Sequence, residues 1–327
     1  MWYLMENAQR SYTLSERLLR AIGVGHHTVP GMRSEQEGIE ELIRQGADVN
    51  QSHGTFLPLH CACMVGDATS VAVLLKWGAD VNRYDGYHRT ALHHAVERSP
   101  QCTSLLLAAG ADTESVDVNR DTPLHWAAFR NRADCCRLLL EHRAHVDSLD
   151  FNHDTPLSWA AMKLFDPLCG SRVQGNLLLG VLACMKITTL TDCSSGMLQG
   201  NYPSVRVLLE HNASPDVRNY SGMVPLARIA VLLAAGLESS DDESAFELLL
   251  RGMGHVELRD RDGELPAVLA RDNKLRTRLL AVCCSPRSLM QLGRRAVRCY
   301  LGAQHLPTVV PLLPIPTRLQ RFLLLEF

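Results

Sequence analysis

The sequence predicts an all-α protein: a solenoid of stacked helical hairpins, followed by a separate C-terminal module of short helices. Three observations carry that expectation. A six-residue motif recurs as LPLHCA from Leu57, TALHHA from Thr90, TPLHWA from Thr122 and TPLSWA from Thr155, in steps of 33, 32 and 33 residues. A second motif keeps pace with it, as GADVN from Gly46, GADVN from Gly78, GADTE from Gly110 and RAHVD from Arg143. Beyond Ser285 both motifs stop, and an amphipathic segment, a proline cluster and a leucine-rich end take their place.

Each repeat reads as a turn and two antiparallel helices. Thr, or its substitute, caps the first helix, and Pro stands at the first helical position, where its missing N–H costs nothing. The Leu and Ala that follow face the next repeat, and small residues there allow close stacking. The second helix is supplied by VAVLLKWGA (71–79), CRLLLEHRA (136–144) and VRVLLEHNA (205–213), and ends on a residue suited to the left-handed conformation. A period of about 33 residues with a T-P-L-H-x-A core is the ankyrin signature. One such hairpin cannot bury its apolar face alone, so the stack is the folding unit.

Residues 1–37 form the N-terminal cap and residues 38–282 the array, which opens with a half repeat, GIEELIRQGADVN (38–50). Ahead of it, TLSERLLRAI (13–22) predicts a short helix, with Thr13 and Glu16 as a capping box and Leu14, Leu18 and Leu19 as its apolar face. The array is interrupted. After TPLSWAAMK the next motif, VPLARIA, starts at Val224, 69 residues after Thr155. Removing the 36 residues Leu164–Gln199 restores the period and joins AAMK to GNYPSVRVLLEHNA in register. The insert therefore divides one repeat between its two helices. Three readings stand for it: an irregular segment from splicing or intron read-through, a functional loop with NLLLGVLACM as a short helix, or some other structure. Low order and protease sensitivity are expected. Later units are less regular: an acidic loop, LESSDDES (237–244), and a degenerate closing repeat at 262–282.

Composition narrows the function. Hydrophobic residues make up 46% of the 327 and charged residues 21%, which suits a folded core. A net charge of −2 argues against non-specific nucleic-acid binding. No apolar run approaches the roughly 20 residues of a membrane span, and no secretion signal opens the chain. A cytoplasmic protein is expected, with the nucleus also open to it. The 11 cysteines lack paired CxxC spacing and read as small buried hydrophobes rather than metal ligands. His60, His93 and His125 share the fourth position of the repeat motif and read as structural, whereas His94 and His153 are expected near turns and exposed. No nucleophile elbow, phosphate loop, zinc motif or dinucleotide fingerprint is present. No enzyme, cofactor or metal is expected.

The C-terminal module, 285–327, is where chemistry concentrates. In SLMQLGRRAVRCYLG (288–302), Leu289, Leu292, Ala296, Val297, Tyr300 and Leu301 share one helical face, and Arg294, Arg295 and Arg298 take the other sides. PLLPIP and TRLQRFLLLEF follow, the last with Leu319, Phe322 and Leu323 on one face. This order resembles the SOCS box: an elongin-binding helix, a connection, an L-P-φ-P element and a closing helix. The resemblance assigns elongin binding to Leu289, Leu292, Gly293 and Val297, and cullin-5 selection to Leu313, Pro314, Ile315 and Pro316. Gly293 departs from the Cys, Ala or Ser preferred there. Glycine costs a helix roughly 1 kcal/mol relative to Ala and removes a small contact. The prolines are expected to hold 311–316 extended and so present Leu313 and Ile315.

Ankyrin repeats followed by a terminal SOCS box resemble the ankyrin-repeat-and-SOCS-box family. That resemblance implies a non-catalytic substrate receptor of a cullin-5 ubiquitin ligase. Its partners would be elongin B, elongin C, cullin-5 with its RING partner, and a protein substrate whose identity the sequence does not give. The substrate would meet the hairpin tips and concave face, where Tyr84, Tyr87, Arg89, Arg120, Trp126, Phe151, Trp159 and Tyr220 lie, since aromatic and Arg side chains dominate binding hot spots. The alternative is an ankyrin scaffold that recruits no ligase.

Overall fold

The computed structural model describes residues 2–24, 38–162, 201–234, 240–253, 277, 289–302 and 304–326. The insert and, apart from residue 277, the closing repeat at 262–282 lie outside them. Every named element is a helix, and the β pairing among the described residues is a single bridge between His53 and Phe56. The chain divides into one unit of Met1–Ala127 with Asp134–Ala144 and a second of Ala128–Ala133 with His145–Phe327.

The first unit opens with α1 (Trp2–Val24), twice as long as the sequence suggests. No Gly or Pro interrupts the chain from Trp2 to Ile22, so nothing stops the helix upstream of Thr13. Thr13 therefore sits mid-helix, and Glu16 pairs with Arg20 at 2.6 Å instead of capping. Leu14, Leu18 and Ile22 are buried at four-residue spacing, and Leu19 is half-buried. Ser15, also buried, accepts from the Asp48 N–H at 2.9 Å and donates to Ser11 O at 2.9 Å, while the Ser11 hydroxyl reaches Gly46 O at 3.1 Å. These bonds seat α1 against the half-repeat helix α2 (Ile39–Arg44).

Then come the hairpins α3 (Pro58–Val65) with α4 (Ala68–Lys76), and α5 (Ala91–Arg98) with α6 (Pro100–Ala108). The motif histidine explains the register. In α5 the Nδ1 of His93 accepts from the Thr90 N–H at 3.1 Å and the Thr90 hydroxyl at 2.9 Å. An N–H can only donate, so Nδ1 is bare and the proton sits on Nε2. That nitrogen donates to Asp121 O, 3.1 Å away on the next tip. His60 repeats the pattern with the Leu57 N–H at 3.3 Å and Arg83 O at 3.0 Å. Each ring thus closes a box over its own helix N-terminus and ties that helix to the following hairpin. Burial, with the neighbouring His94 adding to it, pulls the His60 pKa down to about 4, and burial pulls that of His93 to about 3. The last residue of GADVN also ties neighbouring hairpins together. Asn50 donates to Gly78 O at 3.0 Å and accepts from the Asp80 N–H at 2.8 Å, and Asn82 does the same with Gly110 and Asp112.

α7 (Pro123–Phe129) and α8 (Ala133–Glu141) contribute residues to both units. In the second unit α9 (Pro156–Ala160) begins behind Thr155, whose hydroxyl accepts from the Ser158 N–H at 3.2 Å. Its partner helix is α10 (Tyr202–Glu210). The Asn201 side chain donates to Met162 O at 2.8 Å, so the residues on either side of the insert are hydrogen-bonded neighbours and the hairpin closes across it. α11 (Pro225–Ala234) and α12 (Ser240–Gly252) follow. From Ser240 on, the stretch expected as an acidic loop is instead the start of α12, with Asp241, Asp242 and Glu243 in its first turn, where carboxylates offset the positive end of the helix dipole. The C-terminal module holds α13 (Leu289–Leu301), α14 (Leu306–Val309), a 3₁₀ turn (Val310–Leu312) and α15 (Thr317–Leu323).

Candidate functional site: hairpin tips and an outward apolar helix face

Each hairpin tip is built around one acidic or amide side chain. Asp85 accepts the N–H groups of Tyr87 and Arg89 on Oδ1, at 2.7 and 2.9 Å. Asp117 does so with Asn119 and Asp121, Asp150 with Asn152 and Asp154, and Asn219 with Ser221 and Met223. The turn then passes through a left-handed residue at His88, Arg120, His153 or Gly222. For Asp85 and Asp150 the other carboxylate oxygen takes a donor nine residues on: His94 Nε2 at 2.8 Å and Trp159 Nε1 at 3.0 Å. Burial opposes ionisation of Asp85, but the bonds from His94 and the two N–H groups outweigh it and hold its carboxyl below the usual range.

This arrangement corrects two expectations. His94 is buried rather than exposed, because it is the donor its own tip requires. Trp159 is likewise tied to Asp150 and packed edge-on against Phe129 at 5.3 Å, so the indole serves the turn. Trp126 is covered by the Arg89 guanidinium, 4.1 Å above its ring, and Arg89 also lies 3.5 Å from Asp117. Trp126, Trp159 and Arg89 are half-buried and engaged by these neighbours. The other candidates, Tyr84, Tyr87, Arg120, Phe151 and Tyr220, are exposed, Phe151 by 70%. Tyr84 stacks on His88 at 4.1 Å and Tyr220 lies against His153 at the same distance, so both rings are pre-ordered. Val118, at the tip between them in sequence, is also 70% exposed and was given no role by residue type alone.

The C-terminal module has a small core of Leu306, Val310 and Leu323, with Val297, Leu301, Leu313, Ile315 and Leu324 packed against it. The apolar face read from the sequence of α13 is thereby divided. Val297 and Leu301 turn inward. Leu289, Met290, Leu292, Gly293, Ala296 and Tyr300 face solvent, with Leu289 exposed by 87% and Tyr300 by 91%. Nothing lies within 4 Å of where a Gly293 side chain would begin, so the position is an open notch.

The L-P-I-P element also differs from expectation. Val310–Leu312 forms a 3₁₀ turn, and the backbone is extended at Leu313 (φ −70°, ψ 137°) and again at Pro316 (φ −55°, ψ 142°). Leu313 and Ile315 turn toward the core because alternate residues of an extended chain point to opposite sides. Pro314, Pro316 and Leu312 are left outside, Leu312 by 82%. Gln320 braces the segment with bonds to Pro311 O and Leu313 O at 3.3 and 3.2 Å.

Among the described residues no group of His, Cys, Asp or Glu could hold a metal, and no helix is long and apolar enough to cross a membrane. Cys63, Cys102, Cys135 and Cys136 are buried, and Cys299 is exposed on α13.

Comparison with known proteins agrees with this architecture. The ankyrin-repeat family model matches residues 32–117 and 99–169, and the SOCS box model matches residues 285–324. Ankyrin repeat and SOCS box protein 8 of Macaca fascicularis is 48% identical over 326 residues, covering 99% of this chain and 98% of that protein. The protein of the same name from Homo sapiens shares 48% with the same coverage, and that from Mus musculus 47%. The run DVNRDTPLHWAAF (117–129), the terminal helix face and these relatives lead to one conclusion: the chain belongs to the ankyrin repeat and SOCS box proteins, which are in general terms non-catalytic substrate adaptors of elongin–cullin ubiquitin ligases.

Proposed function

We propose that this chain is the substrate receptor of a ligase built on elongin B, elongin C and cullin-5 with its RING partner. One observation supports it above the rest: the outward face of α13 is apolar from Leu289 to Tyr300. Fully burying one Leu is worth about 1.5–3 kcal/mol. Leu289, Leu292 and the notch at Gly293 therefore suit a partner that closes over them as a hot spot. Val297 acts from beneath, by seating the helix on the core of the module. The L-P-I-P element would select the cullin through Pro314 and Pro316, with Leu313 and Ile315 as its anchors inside the module.

The substrate would dock on the exposed tips. Holding it beside the conjugating enzyme raises the effective concentration of its lysines, which needs no acid, base or metal from this chain. A role of this kind fits a cytoplasmic protein, with the nucleus also open to it. A pull-down from cell extract tests the reading. The full chain should recover elongin C and cullin-5, Leu289→Asp should lose both, and Pro314→Ala/Pro316→Ala should lose mainly the cullin. Recovery of neither by the wild-type chain would leave an ankyrin scaffold without a ligase.

A further inference from the structure

The arginines of α13 point toward the repeats, and what they meet is unusual. Arg298 is 9% exposed, yet the groups it bonds include no carboxylate. Its Nη2 donates to Leu209 O at 2.7 Å, in the last turn of α10. Its Nη1 donates to Leu323 O at 3.1 Å, at the end of α15, and its Nε donates to Asn212 Oδ1 at 3.1 Å. Arg294 donates to Arg251 O in the last turn of α12 and stacks on the Phe322 ring at 4.5 Å. Arg295 lies 3.6 Å from Asp216. Helix C-termini carry unpaired carbonyls and partial negative charge, so three of them together make a socket for guanidinium groups. Burial, with Arg294 adding to it, lowers the Arg298 pKa to about 10, which still leaves it charged at neutral pH.

The contact is returned from the other side. Asn212 has φ +65°, the left-handed residue that ends α10, and occupies the place held by Gly46, Gly78 and Gly110 in earlier hairpins. Unlike glycine it has a side chain, and its Nδ2 donates to Arg298 O at 2.7 Å and Gly302 O at 2.5 Å, the open end of α13. The repeat thus caps the module's helix while the module's arginine caps the repeat's helix.

We infer that Arg298 and Asn212 form a reciprocal clasp that fixes the direction in which α13 holds its apolar face relative to the last described hairpins. This rests on the ligase reading above, and makes the two residues positioning residues for ubiquitin transfer rather than contacts for elongin. The exposed face and the clasp lie on different sides of one helix, so each can be removed without the other.

The test uses the full chain with spin labels on ketone-bearing residues at Ser221 and Arg318, both exposed, leaving native cysteines untouched. Pulsed electron resonance reads their distance distribution, calorimetry reads elongin B/C affinity, and a thermal melt reads the fold. Asn212→Gly keeps the left-handed turn by using the residue of the other hairpins, and Arg298→Gln removes the charge. Both should broaden the distribution at least twofold while elongin affinity stays within threefold of wild type. Should Arg298→Gln fail to fold, Asn212→Gly alone decides. Distributions as narrow as wild type would overturn the clasp, and so would a tenfold loss of elongin affinity in the folded Asn212→Gly protein. If the wild-type chain binds no elongin, the ligase reading fails, while the distance measurement still judges the clasp.

Discussion

Acidification to pH 5 should destabilise the first unit through two of its motif histidines, His60 and His93. His60 and His93 are buried and neutral, with bare Nδ1 atoms facing backbone N–H donors, so a proton there would set donor against donor. Their pKa values are lowered to about 4 and about 3 in the fold, mainly by burial, against about 6.5 in an unfolded chain. Above pH 6.5 both states are neutral and the stabilisation is complete. Below it the unfolded chain takes up protons that the folded one refuses, so stability falls with pH by up to about 1.4 kcal/mol per pH unit and ring. The loss at pH 5 is about 2 kcal/mol for each histidine, or about 4 for the pair, and it continues until the folded rings titrate near pH 4 and 3. That is a large share of the 5–15 kcal/mol typical of a domain. Urea titrations at pH 7.5, 6 and 5, followed by tryptophan fluorescence, measure it. The control is His60→Ser/His93→Ser, patterned on Ser158, which fills the same motif position on α9. The double variant should start less stable and lose the part of the pH slope that these two rings supply. A wild-type midpoint unchanged between pH 7.5 and 5, or an undiminished slope in the double variant, would refute the reasoning.

Three further outcomes follow from single contacts. Arg228 and Asp154 form a buried ion pair at 2.6 Å, each side chain 5% exposed, and burial already raises the Asp154 pKa while Arg228 opposes it. Arg228→Ala should cost about 3–5 kcal/mol in a thermal or urea melt, whereas Arg228→Met/Asp154→Leu should recover most of that loss. Trp159→Phe removes the indole donor to Asp150 and should cost about 1–2 kcal/mol in the same melt, with no change in the proteins captured from an extract. Leu289→Asp should shift stability by less than about 0.5 kcal/mol because the side chain stands in solvent; a loss of several would mean this face is covered within the chain.

The periodic part of the fold was legible because stacking repeats one packing problem every 33 residues, and the same answers recur: Thr and Pro to open a helix, His to tie it forward, Gly to close its partner. What escaped was whatever depends on a contact made once. From the second motif on, the variable residue of T-P-L-H-x-A is His94, Trp126, Trp159 and Arg228, side chains with no common chemistry except an N–H. For His94 and Trp159 that N–H ends on the tip carboxylate, a contact that makes a conspicuous tryptophan look like a binding residue until its partner is seen. The length of α1 escaped for a different reason. A capping box at Thr13 is a good local start signal, but an uninterrupted helix upstream overrides it.

The C-terminal helix shows the limit most clearly. Periodicity identifies a face, and habit assigns the apolar face inward and the arginines outward. In α13 the carbonyl ends of α10, α12 and α15 supply enough acceptors to draw Arg294 and Arg298 in, and the apolar row from Leu289 to Tyr300 is turned out. The cost of that orientation is an apolar row left bare among the described residues, and the interior of the module does not take it back: Leu306, Val310 and Leu323 are already enclosed by Val297, Leu301, Leu313 and Ile315. A helix held by its charged side and left bare on its apolar side is stable alone only while the carbonyl socket persists. Both the fold of the terminus and its readiness for a partner therefore depend on Arg294 and Arg298.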